Sequence, residues 1–230
     1  MNKAFEAPAP TPDESACKTA CKSAGRPKSC ELQARTDNLV WTAGSLFLRH
    51  GYGNVSLETI AREAHVAVRT IYVKFGGKAG LLKAAIEANR DRFFTKQELE
   101  TDSRPLREIV TEFALHFYQM VTAPEAVSLQ RMVMAEAGVN PELTKVFFDT
   151  GPTQTREMLL RFFSRPDIRA QLREDVPIDQ LPIFLINCVM GDQFSRFLFD
   201  AAVLREEFQR TLPQRLALFF RAILRDPPPL

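Results

Sequence analysis

The first 30 or so residues carry no sustained apolar period, but from about residue 35 the spacing of hydrophobic positions is helical almost throughout. Val40, Ala43 and Phe47 recur at intervals of three and four, and Gly51 stands where a helix would stop. A first helix is therefore expected from Arg35 to about His50. Ser56 offers a capping hydroxyl to a short helix over Leu57–Ala64, with Leu57, Ile60, Ala61 and Ala64 on one face. A second short helix is expected over Val68–Phe75, broken by Gly76 and Gly77. A longer one should run from Lys78 toward Lys96 through Leu81, Leu82, Ala85 and Ile86.

Beyond Pro105 the same spacing predicts helices over Pro105–Thr122, Pro124–Ala137, Pro141–Ser164 with a bend at Gly151 and Pro152, Ile178–Phe199, and Leu204–Arg225. No stretch alternates β-branched residues between hairpin turns, so the fold class is all-α. Repeats at solenoid periods are absent from the sequence.

Composition is that of an ordinary globular chain: 230 residues, 45% hydrophobic and 25% charged. The longest apolar run, Leu181–Met190, is too short to cross a bilayer and holds Pro182 and Asn187. The chain is expected to be soluble and cytoplasmic, without a membrane partner. Cys17, Cys21 and Cys30 crowd the N-terminal arm, but no neighbouring histidine or fourth cysteine completes a zinc set. They read as free thiols, and neither a metal nor another cofactor is expected. Cys188, inside an apolar run, reads as a small hydrophobe.

The net charge of +2 conceals an uneven distribution. Residues 26–83 hold nine Lys or Arg against Glu31, Asp37, Glu58 and Glu63, a local balance of +5, and the rest of the chain is acidic on balance. A basic front module suits a polyanionic partner.

Within that module, two short helices joined by about three residues have the layout of a helix-turn-helix, whose second helix must present donors and small groups to a major groove. Arg69, Thr70, Val73 and Lys74 can face outward while Ile71 and Phe75 hold the helix to its neighbours. Arg69 suits a guanine, whose O6 and N7 accept its two parallel donors. Thr70 and Val73 suit a thymine methyl. Tyr72, Lys74 and Lys78 suit phosphate, and Lys78 stands at a helix N-terminus that favours anions. Gly25–Lys28 forms a short basic motif of the kind that can follow a narrow minor groove or serve as a solvated linker.

Phe47, Gly51, Tyr52, Ser56, Ile60, Ala61, Ala64, Val66, Thr70, Ile71, Tyr72, Phe75, Lys78 and Leu81 fall in an order and spacing that resembles the DNA-binding domains of TetR/AcrR-family transcriptional regulators. The resemblance implies a homodimer that sets two reading helices into successive major grooves of a palindromic operator on double-stranded DNA. It places DNA contacts at Ser56, Ala67, Arg69, Thr70, Tyr72, Lys74 and Lys78. Gly76 and Gly77 depart from the Pro, Ser or Asp usual before the lysine, and Ala79 from the common Glu. A looser start to the fourth helix is expected from these changes. The stretch from Glu136 to Phe199 is similar, more faintly, to the C-terminal domains of AefR-like members. The expected division is a flexible arm over 1–30, a helix-turn-helix domain over 31–78 and a ligand-binding and dimerisation domain over 79–226.

Thirteen of the eighteen phenylalanines lie after residue 100, in that last domain, together with Met120, Met132, Met134, Met158 and Met190. Such adaptable apolar surface suits a small hydrophobic or aromatic effector. The candidate contacts are Phe113, His116, Phe117, Met120, Met134, Phe147, Met158, Asn187, Met190 and Phe194. Helices 178–199 and 204–225, apolar on several faces, are the expected dimer contact. No phosphate loop, nucleophile elbow or metal-binding pair supports an enzyme. The expected function is a repressor released from its operator by the effector. The alternative is a DNA-binding regulator or architectural protein without one.

Overall fold

The computed structural model describes residues 29–93, 99, 101–191, 196 and 204–226. Helices α1 (Ser29–His50), α2 (Leu57–Glu63), α3 (Val68–Phe75) and α4 (Lys78–Asp91) come first. They are followed by α5 (Leu106–Thr122), α6 (Pro124–Glu136), α7 (Pro141–Thr150), α8 (Pro152–Ser164) and α9 (Pro166–Arg169). A 3-10 turn over Ile178–Gln180 leads into α10 (Leu181–Met190), and α11 (Leu204–Ile223) follows. Among the described residues the extended structure is a single antiparallel bridge between Leu172 and Leu224. None of the described helices is long and apolar enough to cross a membrane.

The chain divides into two compact units, residues 1–85 and 86–230. In the first, α1 turns Leu39, Val40, Ala43, Leu46 and Phe47 inward, where they meet Tyr52, Val55, Ile60, Ala61, Ile71, Leu81 and Leu82, all buried. The stripe starts only at Leu39. Residues 31–38 are almost wholly exposed, so the first turns of α1 have no apolar face. The helix nonetheless begins at Ser29, six residues before the expected Arg35.

In the second unit α10 is the central element, packed against α5, α8 and α11. Leu181, Leu185, Val189 and Met190 join Phe162 and Phe163 of α8 and Phe208, Leu212, Leu216 and Phe219 of α11 in one core. Such burial stabilises by about 1.5–3 kcal/mol for each fully enclosed large side chain. The expected continuous helix over 178–199 is not what forms. Its start is a 3-10 turn, and α10 ends at Gly191, with φ 56° and ψ −138°. The cause is tertiary: Nη1 of Arg215 lies 2.7 Å from where a Gly191 Cβ would stand, and it donates to the Val189 carbonyl at 2.8 Å. The bend expected near Gly151 and Pro152 is a full break between α7 and α8.

Candidate nucleic-acid interface

The helix-turn-helix is fixed by its caps. The Ser56 hydroxyl accepts the Thr59 amide at 3.1 Å and closes the start of α2. Glu58 sits in that first turn, where its own backbone amide and the Ser56 hydroxyl hold its carboxylate below the usual range. At the other end the Val66 amide donates to the Ala61 carbonyl at 2.9 Å and the His65 amide to the Arg62 carbonyl at 3.3 Å. This is a Schellman turn, and its left-handed position is filled by His65 at φ 54°.

After one turn of spacer, Ala67 caps α3 and accepts the Thr70 amide at 2.8 Å. Ile71 is wholly buried and holds α3 to the module. The opposite face is open: Ala67, Arg69, Tyr72, Val73 and Lys74 are exposed, and Thr70 is half-buried. Tyr72 is 57% and Val73 75% exposed, unusual for such side chains at the middle of one short helix.

The two lysines expected at phosphate are both engaged. Lys74 Nζ lies 2.6 Å from the hydroxyl of Thr36 on α1. Lys78 Nζ donates to the Gly53 carbonyl at 3.3 Å and stands 4.4 Å from the centre of the Tyr52 ring. Tyr52 itself packs on Phe47, with ring centres 5.2 Å apart. Sequence reasoning missed the Lys74–Thr36 link because its partners stand 38 residues apart, where no local pattern records it.

The start of α4 is tight rather than loose, contrary to expectation. Gly76 closes α3 at φ 74°, its amide donating to the Tyr72 carbonyl, and Gly77 follows at φ 128°. A Cβ on Gly80 would lie 1.7 Å from the Phe75 carbonyl oxygen. The three glycines let α4 abut the end of α3, an approach that larger residues would prevent.

The residues expected at an effector fall partly in one core and partly on the surface. Phe113, Phe117 and Met190 are buried in the second core, and Met120 and Met158 pack at its edge. His116 and Phe147 are half-buried, Met134 is 61% exposed and Asn187 is exposed. Phe194 lies outside the described residues. His116 and Phe113 border a recess of about 20 Å³, too small for an organic ligand, beside Asp102, Arg104 and Glu112. Asn187 borders an open groove of about 400 Å³ with Val176, Gln180, Ile183, Phe184 and Ala222. Cys188 is half-buried, and burial pushes its thiol up. Cys17 and Cys21 lie outside the described residues.

Two family models match the chain. The model for bacterial regulatory proteins of the tetR family matches residues 40–85, and that for the C-terminal domain of AefR-like transcriptional repressors matches residues 108–178. The DNA-binding transcriptional repressor TetR of Mycobacteroides abscessus is 34% identical over 74 residues, covering 30% of this chain and 39% of that protein. The chain thus matches well under half the length of this curated relative. The flavonoid-responsive regulator FrrA shares the fold with a TM-score of 0.66 at 23% identity, covering 84% of this chain and 98% of its own. NalD, the secondary repressor of the MexAB-OprM multidrug efflux pump in Pseudomonas aeruginosa, does so with a TM-score of 0.61 at 24% identity, covering 86% and 100%.

Proposed function

The chain belongs to the TetR family of bacterial regulatory proteins, a family of DNA-binding transcriptional regulators, and from that premise we propose that it is a dimeric repressor released from a palindromic operator by a small apolar effector. The observation that carries the DNA-reading half is the outer face of α3. An exposed guanidinium, an aromatic ring and an aliphatic side chain share a helix that is anchored from behind by Ile71, within a module of net charge +5.

Exposed apolar groups on α10 and α11 support self-association. Phe184 is 39% and Leu218 63% exposed, and the groove beside Phe184 continues that apolar surface. A second copy presenting the same face would cover them. For the effector, the support is the aromatic and thioether content of the second unit, together with the likeness in fold of the chain as a whole to a flavonoid-responsive regulator. Effector and operator would then be negatively coupled, and nearly complete release needs a preference of about 5.5 kcal/mol for the released state.

Selection of the full chain against random duplex DNA at moderate salt tests the reading. Enrichment of a palindrome with half-sites about one turn apart is expected. Recovery of no sequence preference would overturn it. Replacing Arg69 with Ala should weaken binding to the selected operator by about 1–3 kcal/mol and relax the preference at one position per half-site.

The division of the expected effector residues between core and surface favours a second reading, a regulator that responds to no small molecule. Thermal shift across a panel of hydrophobic compounds separates the two. A concentration-dependent rise in Tm supports the effector, and a flat panel supports the second reading.

A further inference from the structure

Val73 is the most exposed apolar side chain of the outer face of α3. It is 75% exposed, whereas Ile71 on the opposite face of the same helix is wholly buried. Folding gains nothing from an aliphatic side chain left in water, and a β-branched residue is a poorer helix former than the Lys, Gln or Ala that a solvated position accepts. On a face that presents Arg69 to a polyanion, such a group gains from an apolar partner.

The surroundings narrow what the partner is. Val73 lies one helical turn after Arg69 on the same exposed face, with Tyr72 beside it, in a module whose charge favours a polyanion. The base edges in a major groove present hydrogen-bonding groups at every pair and one apolar group, the C5 methyl of thymine. We infer that Val73 reads a thymine methyl in each half-site and so helps to set operator sequence. Four residues advance a helix by about 6 Å, against about 3.4 Å for each base pair. The thymine read by Val73 therefore lies one or two steps from the guanine read by Arg69. This assignment rests on the DNA-reading function proposed above and adds a base identity to it.

The test replaces single thymines of the selected operator with deoxyuridine, which removes the methyl and keeps pairing and the O4 acceptor. Binding of the full chain is measured by fluorescence anisotropy for the wild type and for Val73→Ala. At one thymine per half-site, removal of the methyl should weaken wild-type binding about fourfold, the loss expected for one small apolar contact. Val73→Ala should bind the thymine and uridine duplexes alike at that position and respond as the wild type does everywhere else. Equal sensitivity of both proteins at every thymine, or insensitivity of the wild type to all replacements, overturns the assignment while leaving sequence reading intact. A protein that selects no sequence overturns the regulator reading itself, and the Val73 assignment falls with it.

Discussion

Lys74, on the last turn of the reading helix, bonds across to α1, its Nζ 2.6 Å from the hydroxyl of Thr36. Thr36 in turn donates that hydroxyl to the Leu32 carbonyl at 2.8 Å. The lysine is thus a strut between α3 and the early turns of α1, made by a residue whose type and spacing suit phosphate contact.

Replacing Thr36 with Val keeps the shape, removes the acceptor and leaves the charge of Lys74 in place. Because the link is exposed, stability should change by less than about 0.5 kcal/mol. Operator binding should weaken by about 0.5–1.5 kcal/mol, the range of one hydrogen bond, with the dependence on salt unchanged because no phosphate contact is lost. Affinity measured across a salt series checks both parts. A Thr36→Val protein that binds like the wild type would show that α3 needs no strut.

Gly80 is the second place where geometry leaves little freedom. With a Cβ position 1.7 Å from the Phe75 carbonyl oxygen, Gly80→Ala must push the start of α4 away from α3. Overpacking of this kind costs about 1–3 kcal/mol, and the contact is with backbone that has no rotamer to yield. Gly138 serves as the control, since a Cβ there meets nothing within 4 Å. Urea denaturation should show a lower midpoint for Gly80→Ala and none for Gly138→Ala. Equal midpoints would mean that α4 shifts freely.

His65 holds the left-handed position of the turn between α2 and α3 at φ 54°, where a side chain costs about 1–2 kcal/mol relative to glycine. Glycine gives back part of that difference through its freer unfolded state. His65→Gly is therefore expected to stabilise the protein by about 0.5–1 kcal/mol, read as a rise in the denaturation midpoint. A fall would mean that the imidazole itself makes a contact worth more than the strain.

These positions show which parts of the molecule can be read along the chain. The helix over Val68–Phe75, the Ser56 cap and the buried Ile71 follow from spacing and capping chemistry, because each is decided within a few residues. The contact at the end of α10 and the link at Lys74 involve partners 24 and 38 residues away in the chain, Arg215 and Thr36, and no local pattern records them. The expected effector set has the same weakness. Helical phase places Met134 and Phe113 on apolar stripes, but only packing decides that Phe113 is buried and Met134 faces water.

Arg90, on the last turn of α4, is a charged group in the second unit and only 8% exposed. Its guanidinium donates to the Thr150 carbonyl at 3.3 Å and to Gln154 Oε1, and it pairs with the more exposed Asp91 at 3.3 Å. Thr150 ends α7 and Gln154 lies in the first turn of α8, so one side chain spans the break at Gly151 and Pro152. A helix running through that break would give the Thr150 carbonyl to an amide four residues on, and Arg90 takes that place. Arg90→Met should leave the carbonyl and the Gln154 amide without their donor, at a cost of about 1–3 kcal/mol. Gln154→Leu removes one partner only and should cost less. In a double-mutant cycle the two changes should be non-additive by about 0.5–3 kcal/mol, measured by urea denaturation, because they delete the same bond. Strict additivity would mean that Arg90 is held by packing and that the break between α7 and α8 stands without it.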